Sequence, residues 1–225
     1  MSHEAEAGLP PGILAHHFSS LARQNEAMRL GMWLFLATEI LLFAGLFTGY
    51  SVYRFQFPEA FAECSRHLEL TLGTVNTVVL ITSSLTVALA IHFARTDSPR
   101  AAAFCLVLTL LLALGFLGIK AVEYSEHFRE RSLPGKYYAF EAVKTPGAAM
   151  FFTLYFIMTG IHAAHMVIGI VLMAVILVMA WRGKFGPHYY TPVEVGGLYW
   201  HFVDIVWIFL FPLLYLLGFH GGPGA

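Results

Sequence analysis

From Gly147 to Trp181 the chain runs for 35 residues without an Asp, Glu, Lys or Arg. A continuous apolar segment of that length exceeds the roughly 20 helical residues that cross a bilayer. In lipid every backbone N–H and C=O must find its partner within the protein, which leaves helices and closed barrels. A barrel strand is far shorter, so this segment reads as a transmembrane helix that tilts or protrudes. Four more apolar runs, at 30–53, 70–94, 101–124 and 196–218, carry only scattered polar residues. With 147–181 they make five spans. The expected architecture is an all-α integral membrane protein, a five-transmembrane-helix bundle over residues 28–219. A polar tail, 1–27, precedes it and a short tail, 220–225, follows.

Composition supports that class. Hydrophobic residues make up 58% of the chain and charged ones 12%, and mean hydropathy is +0.68. A net charge of −1 gives no electrostatic case for a nucleic-acid partner. Cys64 and Cys105 form no CxxC; Cys64 reads as a lone loop thiol and Cys105 as a small residue within a span, so a disulfide scaffold and a zinc site are both disfavoured. Residues 1–27 lack the basic start and apolar core of a signal peptide and read as a solvated tail. Short connections at 95–100 and 182–195 predict antiparallel neighbours. The positive-inside rule gives no orientation. Arg23, Arg29, Arg95, Arg100, Arg182 and Lys184 lie on one side, balanced by Arg54, Arg66, Arg129, Arg131, Lys136 and Lys144 on the other.

Polar residues inside the spans mark where function resides, because ionisable groups at membrane depth are costly and face protein or water. Glu39 lies near the middle of the first span. It reads equally as a proton-linked or inter-subunit carboxylate and as a structural hydrogen bond within the bundle, with Thr38 and Thr48 as nearby donors. His162 and His165 share a face of span four at i, i+3. Gly160 and Gly169 flank them, which favours close helix approach and cross-helix hydrogen bonding, with metal or haem ligation as the alternative. On span five His201 and Asp204, also i, i+3, are candidates for a direct pair, and Trp200 for an interfacial belt. Asp204 sits where a carboxylate costs about 2.5–3.5 kcal/mol on insertion scales, so this helix has a polar role. Lys120 and Glu123 close span three and read as snorkelling to the interface. Arg182 and Lys184, after span four, are candidate lipid-phosphate contacts.

Five segments, in order, resemble one family. Gly31-Met32-Trp33-Leu34-Phe35-Leu36-Ala37-Thr38-Glu39, Asn76-Thr77-Val78-Val79-Leu80, Glu123-Tyr124 and Gly160-Ile161-His162-Ala163-Ala164-His165 are followed by Glu194 before Tyr199-Trp200-His201-Phe202-Val203-Asp204. Together they are similar to subunit III of the haem-copper oxygen reductases, the cytochrome c oxidase subunit III family, over roughly residues 28–219.

The resemblance implies a non-catalytic subunit of a proton-pumping cytochrome c oxidase in the bacterial cytoplasmic membrane. Haem and copper are then expected in subunits I and II and not in this chain, which carries no catalytic or metal site and binds phospholipids. The implied partners are subunit I directly, with subunit II and cytochrome c through the complex. The implied roles are stabilising subunit I and supporting proton uptake and oxygen access. Glu39 falls at a proton-linked or subunit I interface position. His162, His165, His201, Asp204, Glu123 and Glu194 form a structural polar network, and Arg182 and Trp200 meet lipid. The family's usual form carries two further helices before the carboxylate-bearing span, and this sequence does not show them. The resemblance favours a cytoplasmic N-terminus and an external C-terminus. Glu39 and Tyr199 lean toward the cytochrome c enzymes over quinol oxidase or nitric oxide reductase relatives. A stand-alone transporter using Glu39 and Asp204 is disfavoured, since neither repeats nor broken helices are evident beyond Pro212.

Overall fold

The computed structural model describes residues 14–130, 132, 143, 145–187 and 189–220. Among them the regular structure is helical: α1 (Leu21–Gln56), α2 (Pro58–Arg66), α3 (Leu70–Arg95), α4 (Pro99–Arg129), α5 (Ala148–Trp181) and α6 (Thr191–Phe211). α6 continues through a π-helical turn, Pro212–Leu216, into α7 (Leu217–His220). α1, α3, α4, α5 and the Thr191–Leu216 segment are long and apolar enough to cross a membrane. Expected positions Arg131, Lys136 and Lys144, and the tails 1–13 and 221–225, lie outside the described residues.

The helices overrun the apolar runs at their polar ends. α1 starts at Leu21 because Ser20 caps it, its hydroxyl accepting the Arg23 N–H at 3.4 Å, which satisfies one of the orphan donors of a helix start. α4 and α6 open on proline in the first turn, where the missing N–H costs nothing. The Phe57–Pro58 step breaks α1 from α2, as the residue before proline disfavours helical backbone. α5 begins after Gly147, whose φ of +104° and whose approach to the Phe57 ring, 2.5 Å from where a Cβ would stand, admit only glycine.

α6 is the hub. In its most apolar stretch 56% of residues are buried, against 11% in α1. It packs against α3, α5 and α1. α3 and α4 pack closely as antiparallel neighbours, joined across their buried faces by Thr86 and Thr109 at 2.7 Å. Gly169 of α5 lets α6 approach, with the Trp200 ring 3.0 Å from an added Cβ; Gly160 meets nothing closer than the Tyr124 hydroxyl at 4.0 Å. Only one of the two glycines beside the histidine pair therefore serves close packing.

The far end of α6 is held by α1 and α2. Pro212 withholds a backbone donor, and the π-turn leaves carbonyls that side chains satisfy. Tyr50 donates to Leu213 O at 2.8 Å, Ser65 to Leu214 O at 2.7 Å and Arg66 Nε to Gly218 O at 2.7 Å. Cys64, read from sequence as a loop thiol, is instead fully buried in α2. Burial pushes its thiol up to about 12, with Glu63 adding to the shift, so it is not a nucleophile at neutral pH.

Candidate functional site

Among the described residues, three polar centres within the helices differ in how completely they are satisfied.

The first joins α1 to α5. His165 Nε2 lies 2.8 Å from Glu39 Oε2, and its Nδ1 lies 2.8 Å from Ile161 O. A carbonyl only accepts, so Nδ1 carries a proton and donates it. Nε2 and Glu39 then share a second proton between them, as imidazolium with carboxylate or as neutral imidazole with carboxylic acid. Tyr199 donates to His165 O at 2.9 Å, and Phe43 packs on the imidazole with centroids 5.2 Å apart. Glu39 thus has a partner that span-by-span reading did not assign to it.

The second centre is buried among α4, α5 and the π-turn. Lys120 is 4% exposed and Glu123 1%, which overturns the expectation that both snorkel to an interface. α4 continues to Arg129, so neither residue is at the helix end. The Lys120 ammonium donates to Glu123 Oε2 at 3.0 Å, Tyr215 Oη at 3.0 Å and Tyr155 Oη at 3.2 Å, using all three of its hydrogens. Both tyrosine hydroxyls in turn donate to Glu123 Oε1. Lys120 also lies 5.1 Å and 5.2 Å from the ring centroids of Tyr155 and Trp207, within cation–π range.

The third lies between α3 and α6. His201 Nδ1 is 2.7 Å from Ser84 Oγ, Trp200 Nε1 donates to Ser83 Oγ at 3.1 Å, and Trp207 Nε1 donates to Thr77 Oγ1 at 3.1 Å. His201 and Asp204, candidates for a direct pair, do not form one: Ser84 bonds the histidine, and among the described residues neither Asp204 oxygen has a hydrogen-bond partner, although Ser84 lies beside it. Trp200 is corrected likewise. It is 0% exposed, enclosed between α3 and α5, so it neither lines an interfacial belt nor meets lipid.

His162 departs from His165 despite sharing a helix face. It is 1% exposed and, among the described residues, neither ring nitrogen has a hydrogen-bond partner; it packs between Phe116 and Trp207 at centroid distances of 5.7 Å and 5.2 Å. At the other end of the bundle Glu194 ties three helices. Its Oε2 accepts from Arg29 Nη2 at 2.7 Å and its Oε1 from Arg95 Nη2 at 2.6 Å. Arg182 is exposed just beyond α5.

Sequence reasoning passed over Tyr155, Tyr215 and Ser84 as partners, and misplaced Lys120. The available signals were a lysine within an apolar helix and tyrosines in charge-free runs, which in lipid require hydroxyl partners.

A family model described as "Cytochrome c oxidase subunit III" matches residues 13–219. A "Probable quinol oxidase subunit 3" of Staphylococcus aureus (strain USA300) is 30% identical over 199 residues, covering 88% of this chain and 93% of the relative. A "Quinol oxidase subunit 3" of Bacillus spizizenii is 31% identical over 201 residues, covering 88% and 92%.

Proposed function

The chain belongs to the cytochrome c oxidase subunit III family, the third subunit of haem-copper oxidases, and from that premise we propose that it is a non-catalytic, multi-pass membrane subunit that stabilises subunit I. The observation carrying this reading is the family match over nearly the whole helical bundle. The polar side chains inside that bundle serve largely to hold its helices to one another. In this reading haem and copper belong to subunits I and II, the N-terminus is cytoplasmic, and the complex reduces oxygen to water while moving protons.

Glu39 and His165 support a role in proton supply, since their geometry holds one exchangeable proton at a half-buried site on the peripheral helix α1. Beside them an apolar groove of about 370 Å³ runs between α1 and α6, lined by Trp33, Ile40, Phe43, Phe202 and Phe209 among others. It fits lipid acyl chains, and the exposed Arg182 is suited to a lipid phosphate on this chain's surface.

For the electron donor we favour cytochrome c, on the Glu39 and Tyr199-Trp200 pattern. The relatives named as quinol oxidase subunits favour quinol as a second reading. Mild-detergent purification of the chain, with an optical spectrum and mass spectrometry of what accompanies it, tests both. Haem absorbance with a large subunit I is expected. A donor subunit carrying a cytochrome c or copper site separates the first reading from the second, and a colourless chain purified alone contradicts both.

Glu39→Gln tests the proton role. The amide still hydrogen-bonds His165 Nε2, through its N–H or its carbonyl, but cannot exchange a proton with it, so assembly is expected to persist while sustained turnover declines over many cycles. Unchanged turnover would remove Glu39 from proton supply.

A further inference from the structure

Glu39, Glu123 and Glu194 each meet a cationic or cationisable partner at 3.0 Å or less. Asp204 does not. It is 3% exposed, and both of its oxygens are buried without a hydrogen bond among the described residues. An unsatisfied buried acceptor forfeits the hydration it had in water and gains nothing in return, which makes Asp204 a group that a donor from outside the chain would stabilise.

The surroundings indicate what that is. Asp204 lines a concavity of about 430 Å³ between α3 and α6, together with Ser84 and His201 and a rim that includes Ile81, Leu85 and Ile208. The rim is apolar and open: Ile81 is 53% exposed, Leu85 59% and Ile208 45%. Asp204 lies near the middle of the 26-residue Thr191–Leu216 span, and Ser84 near the middle of Leu70–Arg95. At that depth a lipid presents only acyl chains, which donate no hydrogen bond, and headgroups stay near the surface some 15 Å away, half of a roughly 30 Å hydrocarbon core. Ser84 lies 2.7 Å from His201 Nδ1 and also borders Asp204, without meeting either carboxylate oxygen in hydrogen-bond geometry.

We infer that this concavity is a docking site for a transmembrane helix of a partner subunit, which inserts a hydrogen-bond-donating side chain toward Asp204 while its apolar flanks cover Ile81, Leu85 and Ile208. The inference rests on the accessory-subunit reading and adds to it the face that engages the partner. Arginine, lysine, tyrosine, serine and threonine are the side chains with suitable donors. Complementing a desolvated carboxylate gives both affinity and register to such a contact.

The test uses the complex in its own membranes. A photoreactive benzophenone amino acid replaces Ile81, or Ile208, or Val171 on the exposed face of α5 as the reference. After irradiation the chain is purified and its adducts identified, and haem is measured in the same sample. Protein adducts to a partner membrane subunit are expected from Ile81 and Ile208 and not from Val171. Adding Asp204→Leu is expected to lower the Ile81 adduct by about tenfold, the scale of losing one good polar contact. Asp204→Asn, which retains an acceptor oxygen, loses less. Adducts to lipid alone, to a second copy of this chain, or equally from all three positions overturn the proposal, as does an Ile81 adduct indifferent to Asp204→Leu. A haem-free preparation that still yields the partner adduct upholds the docking face and refutes the oxidase reading instead.

Discussion

Glu123 and Asp204 are carboxylates buried to nearly the same degree, at 1% and 3% exposure, in opposite settings. Around Glu123 every strong hydrogen-bonding demand is met from within the chain: one ammonium and two phenols converge on its two oxygens, and that ammonium has no hydrogen left over. Around Asp204, Ser84 borders the carboxylate but bonds His201 Nδ1, and among the described residues neither Asp204 oxygen receives a hydrogen bond. A closed network is internal architecture, fixing α4, α5 and the π-turn of α6 in one register. An open one, at mid-span beside an exposed apolar rim, is half of a contact. Burial alone does not distinguish the two; counting donors against acceptors does.

That contrast can be broken experimentally. Glu123→Leu strands the Lys120 ammonium in a buried site, and removing one partner of such a pair costs about 3–5 kcal/mol. The expected result is a large fall in the thermal midpoint of the chain in detergent; an unchanged midpoint would show that Lys120 escapes to water and that the network is not closed. Tyr215→Phe removes a single hydroxyl, leaving Lys120 and Glu123 each one contact short, and is expected to cost about 1–3 kcal/mol. A loss as large as that of Glu123→Leu would mean that Tyr215 acts through the π-turn rather than through its hydroxyl.

Much of the fold could be read from the sequence because lipid leaves the backbone few choices: each of the apolar runs coincides with a long helix. What escaped was smaller and tertiary. α2 is a nine-residue helix hidden in an apparent loop, although Phe57-Pro58 at its start and the apolar Ala60, Phe61 and Cys64 on one face carried a signal. In the polar centres, Glu39, His165, His201 and Asp204 all stood out as polar groups in apolar runs, yet their partners did not. Glu39 and His165 are 126 positions apart, and nothing local in either span encodes that meeting. His201 and Asp204 have the spacing of a pair, but Ser84 of α3 competes for the histidine, a contact 117 positions away. Lys120 was misjudged because hydropathy ends its span early, while the helix itself runs on to Arg129. Trp200 was placed at an interface by its position near the start of an apolar run, but α6 begins at Thr191 and buries it.

The most direct test of the distinction between a closed and an open carboxylate is the thermal midpoint of Asp204→Leu, measured on the chain alone and again within its complex. Replacing an unsatisfied carboxylate by an apolar side chain of similar size is expected to leave the isolated chain as stable or more stable, while the complex dissociates at lower temperature than the wild type. An isolated chain destabilised by Asp204→Leu as strongly as by Glu123→Leu would contradict the account, because Asp204 would then be part of the chain's own architecture.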